Sequence, residues 1–353
     1  MRKYFSFAIV FMFFMVLVAG CATAPQPFKP AQEELDKLVW PAPPDEPRIK
    51  FVAVYWGSKD VEEENTLLRV IGEEGPTFLQ RPHGIVADRK GNIFVSDTQL
   101  LKVFKLDFEH KKFTTIGETA VKRATIPMGL AIDNDRGYLF VADLGSKSVL
   151  VYDVENGSLK FGIGQNPGTF LRPVALALNT RTQTVYVCDT KLHSVKAFDY
   201  SGKLLFTIGK GDRSDEDDGF NVPSSVAVGK DGKLYVSDMF GRYIKVFSPE
   251  GKFLKKIGQG VGSGFGNFSK IIGVALDSEG HLYGLDIDFG NFQVFDEATN
   301  QLLTFAATSG RQLGNLLLPT TIFIDEKDRI YVTDTFNKRI QVFQYLGGAK
   351  KGQ

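Results

Sequence analysis

The chain is 353 residues long and carries 42 lysines and arginines against 41 aspartates and glutamates, a formal charge of +1. That balance argues against an electrostatic grip on nucleic acid. With two cysteines in the whole sequence, a disulfide-built scaffold is excluded as well.

Residues 1–20 read as a signal sequence: Arg2 and Lys3, then an apolar run from Tyr4 to Val18, then Ala19 and Gly20 ahead of Cys21. The run is too short, and too directly followed by small residues, for a settled transmembrane helix. The ending Val18-Ala19-Gly20-Cys21 resembles a bacterial lipobox, which implies that Cys21 becomes the lipidated first residue of the mature chain. Ala22 in place of an aspartate implies, by the same resemblance, an outer-membrane anchor facing the periplasm. Losing Arg2 and Lys3 with the leader leaves 40 basic residues against 41 acidic, a formal charge of −1. Cys188 is then the remaining thiol, so no disulfide forms within one mature molecule. Residues 21–47 hold seven prolines, from Pro25 to Pro47, and read as an extended tether.

From 48 to 346 one phrase recurs six times: FVSD, FVAD, YVCD, YVSD, YGLD and YVTD, ending at Asp97, Asp143, Asp189, Asp238, Asp286 and Asp334. The spacings are 46, 46, 49, 48 and 48 residues, the period of a repeat architecture. An aromatic stands three places before each aspartate, and apolar residues stand six and nine places after it. The runs within a repeat are short and β-branched or aromatic between Gly, Asp, Asn and Lys turns, and the fourth repeat shows four of them, VAVG, KLYVSD, YIKVFS and FLKKIG, so a full repeat reads as four strands. The spacing predicts an all-β, six-bladed β-propeller of four-stranded antiparallel blades, apolar on both faces where neighbouring blades meet.

The sixth repeat supplies three strands and is followed by a polar tail, 347–353. A closed ring removes raw sheet edges, so its missing outer strand is expected from the N-terminal side. LLRVIG, 67–72, reproduces the FLKKIG and LLFTIG endings of other repeats and is the expected closing strand. RIKFVAVYW, 48–56, reads as a further strand whose place the sequence leaves open.

Phrases such as RPHGIVADRKGNIFVSD and LPTTIFIDEKDRIYVTDTFNKRIQVF resemble the NHL repeat, and the resemblance covers roughly 48 to 346. Departures are local: Ile271 stands where the others have Pro82, Pro127, Pro173, Pro223 and Pro319, Gly284 replaces a valine, and the linker ETAVKRAT lacks the Gly and Phe of its counterparts.

The six aspartates invite a calcium reading, yet a carboxylate at the end of every second strand reads as blade architecture that satisfies turn N–H groups. Cys188, in a column shared with Ser96, Ala142, Ser237, Leu285 and Thr333, reads as a packing residue. His110 and His281 fall on the face opposite the linkers, while His83, at a linker's entry into the innermost strand, and His193 fall on the linker face. DTKLHSVKAF is similar to a metal-histidine segment of peptide-amidating lyases, which share the six-bladed NHL propeller, but a zinc site needs about three protein ligands. Arg81, Arg172 and Lys270 each precede the proline position of a repeat and are expected to form a positive collar near the central opening. The acidic loop DRSDEDDG, 212–219, lacks a calcium-loop pattern and reads as flexible surface.

No catalytic constellation, metal site or cofactor is expected from these residues. The expected function is a lipid-anchored platform in the bacterial envelope that binds a protein or envelope partner through the linker face, with no nucleic acid involved. The alternative is a metal-dependent lyase or lactone hydrolase at the channel mouth.

Overall fold

The computed structural model describes residues 31–63, 75–118, 123–260, 262 and 264–347. The chain separates into two compact units, Met1–Lys37 and Leu38–Gln353. In the first, helix α1 spans Gln32–Leu35; among the described residues, no helix is long and apolar enough to cross a membrane.

The second unit opens with β1 (Val39–Trp40) and β2 (Ile49–Tyr55). Blade one is β3 (Pro82–Ala87), β4 (Ile93–Asp97), β5 (Lys102–Asp107) and β6 (Lys112–Ile116). Blade two is β7 (Pro127–Asp133), β8 (Tyr138–Asp143), β9 (Ser148–Asp153) and β10 (Leu159–Ile163). Blade three is β11 (Pro173–Asn179), β12 (Thr184–Asp189), β13 (Ser194–Asp199) and β14 (Leu204–Ile208). Blade four is β15 (Pro223–Val228), β16 (Leu234–Asp238), β17 (Tyr243–Phe247) and β18 (Phe253–Ile257). Blade five is β19 (Ile271–Leu276), β20 (Leu282–Asp286), β21 (Asn291–Asp296) and β22 (Gln301–Ala306). Blade six takes β23 (Ile322–Ile324), β24 (Arg329–Asp334) and β25 (Arg339–Tyr345) from the C-terminal end, and β2 and β1 from the N-terminal end.

The closing strand is not the one expected from the sequence. The outer strand beside β25 is β2, paired antiparallel from Ile49 opposite Tyr345 to Tyr55 opposite Ile340 with a one-residue shift between Phe51 and Ala53, not LLRVIG. Its advantage is packing: Phe51 meets Phe343 edge-on at 5.4 Å, and β1 adds Trp40 on the same ring at 5.5 Å. Residues 67–72 lie outside the described residues. The proline-rich stretch therefore joins the propeller from Leu38 onward.

Adjacent blades share their cores. Phe140 and Val151 of blade two, for example, pack with Leu176, Val185 and Phe198 of blade three. The aromatic before each aspartate is buried in all six blades, each such side chain contributing about 1.5–3 kcal/mol by removal from water. Inner strands approach so closely that the position two after the proline must be small. A Cβ on Gly84 would lie 2.3 Å from the Met128 carbonyl oxygen, and one on Gly129 2.7 Å from the Ala175 Cα.

Candidate functional site

Every inner strand starts at a linker and runs away from it, so the linkers and the turns between second and third strands share one face of the ring. The six aspartates sit just beneath that face and are fully buried. Asp97 shows their work: one carboxylate oxygen accepts from the N–H groups of Gln80 (2.7 Å) and Arg81 (3.0 Å), the other from Gln99 (3.0 Å) and Leu100 (2.9 Å). Asp189 does the same with Leu171, Arg172, Lys191 and Leu192, and Asp286 with Ser269, Lys270, Asp288 and Phe289. Asp143 and Asp238 likewise hold the linkers entering their blades. In blade six Asp334 accepts from Leu317 N–H, Arg339, Asn337 and Gln341. Asp97, Asp143, Asp189, Asp286 and Asp334 thus each tie an incoming linker to an outgoing turn, while Asp238 ties its linker to Lys245 of strand three, and all satisfy donors that burial would orphan.

A second anchor was not read from the sequence. Seven residues after the aspartate, blades three to six place Lys196, Lys245, Gln293 and Gln341, whose side chains reach up to linker carbonyls. Lys196 donates to Thr169, Lys245 to Glu216 and Gly219, Gln293 to Asn267, and Gln341 to Asn315. The acidic loop expected to be flexible is thereby fastened: besides Lys245, Lys256 pairs with Asp217 at 2.7 Å, and Lys210 pairs with Glu216 and Asp218. The available signal was a polar column set between apolar columns of the third strand.

The inner strands enclose a channel of about 1680 Å³. Its middle is lined by Leu130, Leu176, Val226, Val274 and Ile322, and its linker-face mouth by His83, Arg172, Lys191, Met239 and Phe240. Of the expected collar, Arg172 lines the channel while Arg81 and Lys270 do not. Lys270 is neutralised by Asp288 at 3.0 Å. Arg81 is exposed and its backbone N–H is held by Asp97. Lys191, two places after Asp189, supplies the second mouth cation instead; neither it nor Arg172 forms a salt bridge among the described residues.

His83 keeps its Nδ1 buried, with no hydrogen-bond partner among the described residues. Burial, and to a lesser degree the nearby Arg81 charge, lower its pKa to about 4, so it is a neutral imidazole near pH 7. His193 lies in a left-handed turn at φ 44° and places its Nδ1 2.6 Å from the Asn221 carbonyl oxygen. His110 and His281 pair with Asp107 and Asp277, both at 2.9 Å, on the other face. The four histidines are therefore not brought together, and among the described residues no group of three His, Cys, Asp or Glu side chains is placed to hold a metal ion. Cys188 is buried, which pushes its thiol pKa well up.

The linker face is also where apolar side chains remain uncovered. Among the described residues ten large hydrophobic side chains are exposed, and six of them, Phe78, Leu101, Leu171, Phe240, Phe265 and Phe336, lie on linkers or turns of this face. Phe240 and Phe336 occupy the same place after the aspartate as Lys191.

No family model matches the chain. It is similar to human NHL repeat-containing protein 2, 26% identical over 155 residues, which are 36% of this chain and 21% of that protein. It is similar to the Rattus norvegicus peptidylglycine alpha-amidating monooxygenase, 26% identical over 169 residues, 42% of this chain and 17% of that enzyme. The chain thus spans about a fifth of the length of either relative. A solved structure of a protein of unknown function from Bacteroides thetaiotaomicron superposes with a TM-score of 0.60 at 17% identity, covering 82% of this chain and 75% of that one. The chain is therefore a six-bladed β-propeller with NHL-repeat relatives.

Proposed function

We propose that the chain is a protein-interaction platform, held at the bacterial envelope through a lipid on Cys21, that receives its partner on the linker-bearing face. The observation that carries the docking face is the concentration of exposed aromatic and leucine side chains there, beside the cations Arg172 and Lys191, which form no salt bridge among the described residues. Exposed apolar side chains gathered on one face rather than spread over the surface are what an interaction site presents, and aromatics with arginine are the residues that dominate interface energetics. The aspartate and strand-three anchors hold these loops in place before binding, which lowers the ordering cost of association. The lipobox resemblance and the proline-rich stretch support the envelope location.

The test is site-specific photo-crosslinking in cells, from Phe240 and Phe336 on the linker face and from Lys327 on the opposite face. The reading expects one discrete adduct from the first two positions and none from Lys327. Equal labelling from both faces, or no adduct, removes it.

The second reading is a metal-dependent lyase or lactone hydrolase, and the neutral His83 at the channel mouth is what favours it: a deprotonated imidazole is the form that ligates a metal. Metal content of the purified chain, with melting measured with and without EDTA, tests that reading directly.

A further inference from the structure

The two ends of the channel differ in charge. On the face opposite the linkers its lining carries eight carboxylates against four lysines and arginines. At the linker-face mouth the lining contains no carboxylate, and its charge comes from Arg172 and Lys191. An anion is therefore repelled at one end and drawn to the other.

The two cations are placed as a pair. Asp189 accepts from the backbone N–H of Arg172 and from that of Lys191, both at 3.0 Å, and the Thr190 N–H donates to the Arg172 carbonyl oxygen at 3.1 Å. One buried carboxylate thus fixes both backbones. Both side chains remain exposed, and neither forms a salt bridge among the described residues.

Below this mouth the wall is largely aliphatic. Five places after the proline position of their repeats, Ile132, Leu178, Val228, Leu276 and Ile324 line the channel at one level, and each is only half-buried. Aliphatic side chains left partly uncovered inside a concave wall, with a few charged groups at one end, are the build of a ligand site. From Arg172 to Leu178 an extended strand rises about 20 Å.

We infer that the channel is a binding site for a long-chain carboxylate, its head group held by Arg172 and Lys191 and its hydrocarbon chain reaching the level of Leu178. An extended chain of about sixteen carbons covers that distance. The channel volume of about 1680 Å³ leaves room for a second chain beside the first. An alcohol of the same length buries the same hydrocarbon but forgoes both cations, so the head group sets the preference. The site lies inside the ring and does not depend on the platform reading.

The experiment is photolabelling of the purified full chain, in the presence of lipid nanodiscs, with a sixteen-carbon carboxylate bearing a diazirine near its methyl end and with the matching alcohol. Adducts are mapped by peptide mass spectrometry for wild type, Arg172→Glu, Lys191→Glu and Lys270→Glu. All three side chains are exposed or already paired at the surface, so circular dichroism should be unchanged. The carboxylate is expected to label the inner strands around Leu178, Val228 and Leu276. The alcohol should label them roughly tenfold less, and Arg172→Glu and Lys191→Glu should each reduce carboxylate labelling by about as much. Lys270→Glu, on the same face but outside the channel lining, should label like wild type. Equal labelling by the alcohol overturns the inference, as does labelling that survives both charge reversals or adducts confined to residues outside the channel.

Discussion

Lys245 and Asp238 form an ion pair at 3.3 Å with both side chains buried, and the lysine spends its remaining donors on the carbonyls of Glu216 and Gly219. Burial lowers the lysine pKa and the Asp238 charge opposes that shift. The pair fastens strand three of its blade, the end of strand two and the acidic loop to one another. Removing one member leaves the other charge and two carbonyls stranded, so Lys245→Met should cost about 3–5 kcal/mol. Lys245→Gln, the residue type used in blades five and six, should cost less than half of that. Chemical denaturation of both variants checks the ordering; equal losses would mean that the charge, and not the reach to the loop, is what the site needs.

Replacing a repeat aspartate should be more damaging than its surface proximity suggests. Asp97→Ala orphans four backbone N–H groups at once, and with about 1–3 kcal/mol for each unsatisfied buried group, a loss of at least ~4 kcal/mol is expected. Added calcium should not restore melting in this variant or raise it in wild type; a calcium-dependent rise in wild type would return these carboxylates to the status of ligands.

His83 gives stability a pH dependence. Its folded pKa of about 4 lies below the unfolded value of ~6.5, so between the two the unfolded chain binds more protons. The contribution is therefore fully present above pH ~6.5 and lost as pH falls through the folded pKa. One side of the ring faces the channel, so we expect ~2 kcal/mol over this window instead of the ~3 that the full shift implies. His83→Met, which copies Met128 at the same place in blade two, should flatten the profile; a variant with the wild-type slope assigns it to another group.

The inner-strand glycines are a separate requirement. Gly84→Ala drives a Cβ into the Met128 carbonyl and should cost about 1–3 kcal/mol as overpacking. Gly202→Ala, at φ 88° with nothing near its Cβ, meets only backbone strain of roughly 1 kcal/mol. Thermal melts that rank these two the other way would show that the inner strands can spread.

Replacing Cys21 tests the anchor. Cys21→Ser should move the chain from the membrane fraction to the soluble fraction and abolish labelling by a radioactive acyl donor; an unchanged distribution would remove the lipid from the account.

The repeat period and the columns around each aspartate made the blades legible, because every blade must bury the same face against the same neighbour. Ring closure was legible only as a requirement. LLRVIG looked like other outer strands, but resemblance along one chain carries no information about which segment wins the pairing with β25; the fit of Phe51 and Trp40 around Phe343 is three-dimensional. The collar failed for a similar reason. Lys270 sits in the same column as Arg81 and Arg172, yet Asp288, two places beyond its own repeat aspartate, takes its charge. Phe240 and Phe336 were visible as residues, but exposure had to be seen before they meant anything.

Pairing β2 with β25 also makes time part of the architecture. On the ribosome the closing strand is made first and its partner last, so blade six cannot be completed until nearly the whole propeller has emerged. For all that interval β2 has β1 along part of one edge and nothing on the edge that β25 will occupy. The edge of β2 finds its partner only once Ile340 to Tyr345 have been made.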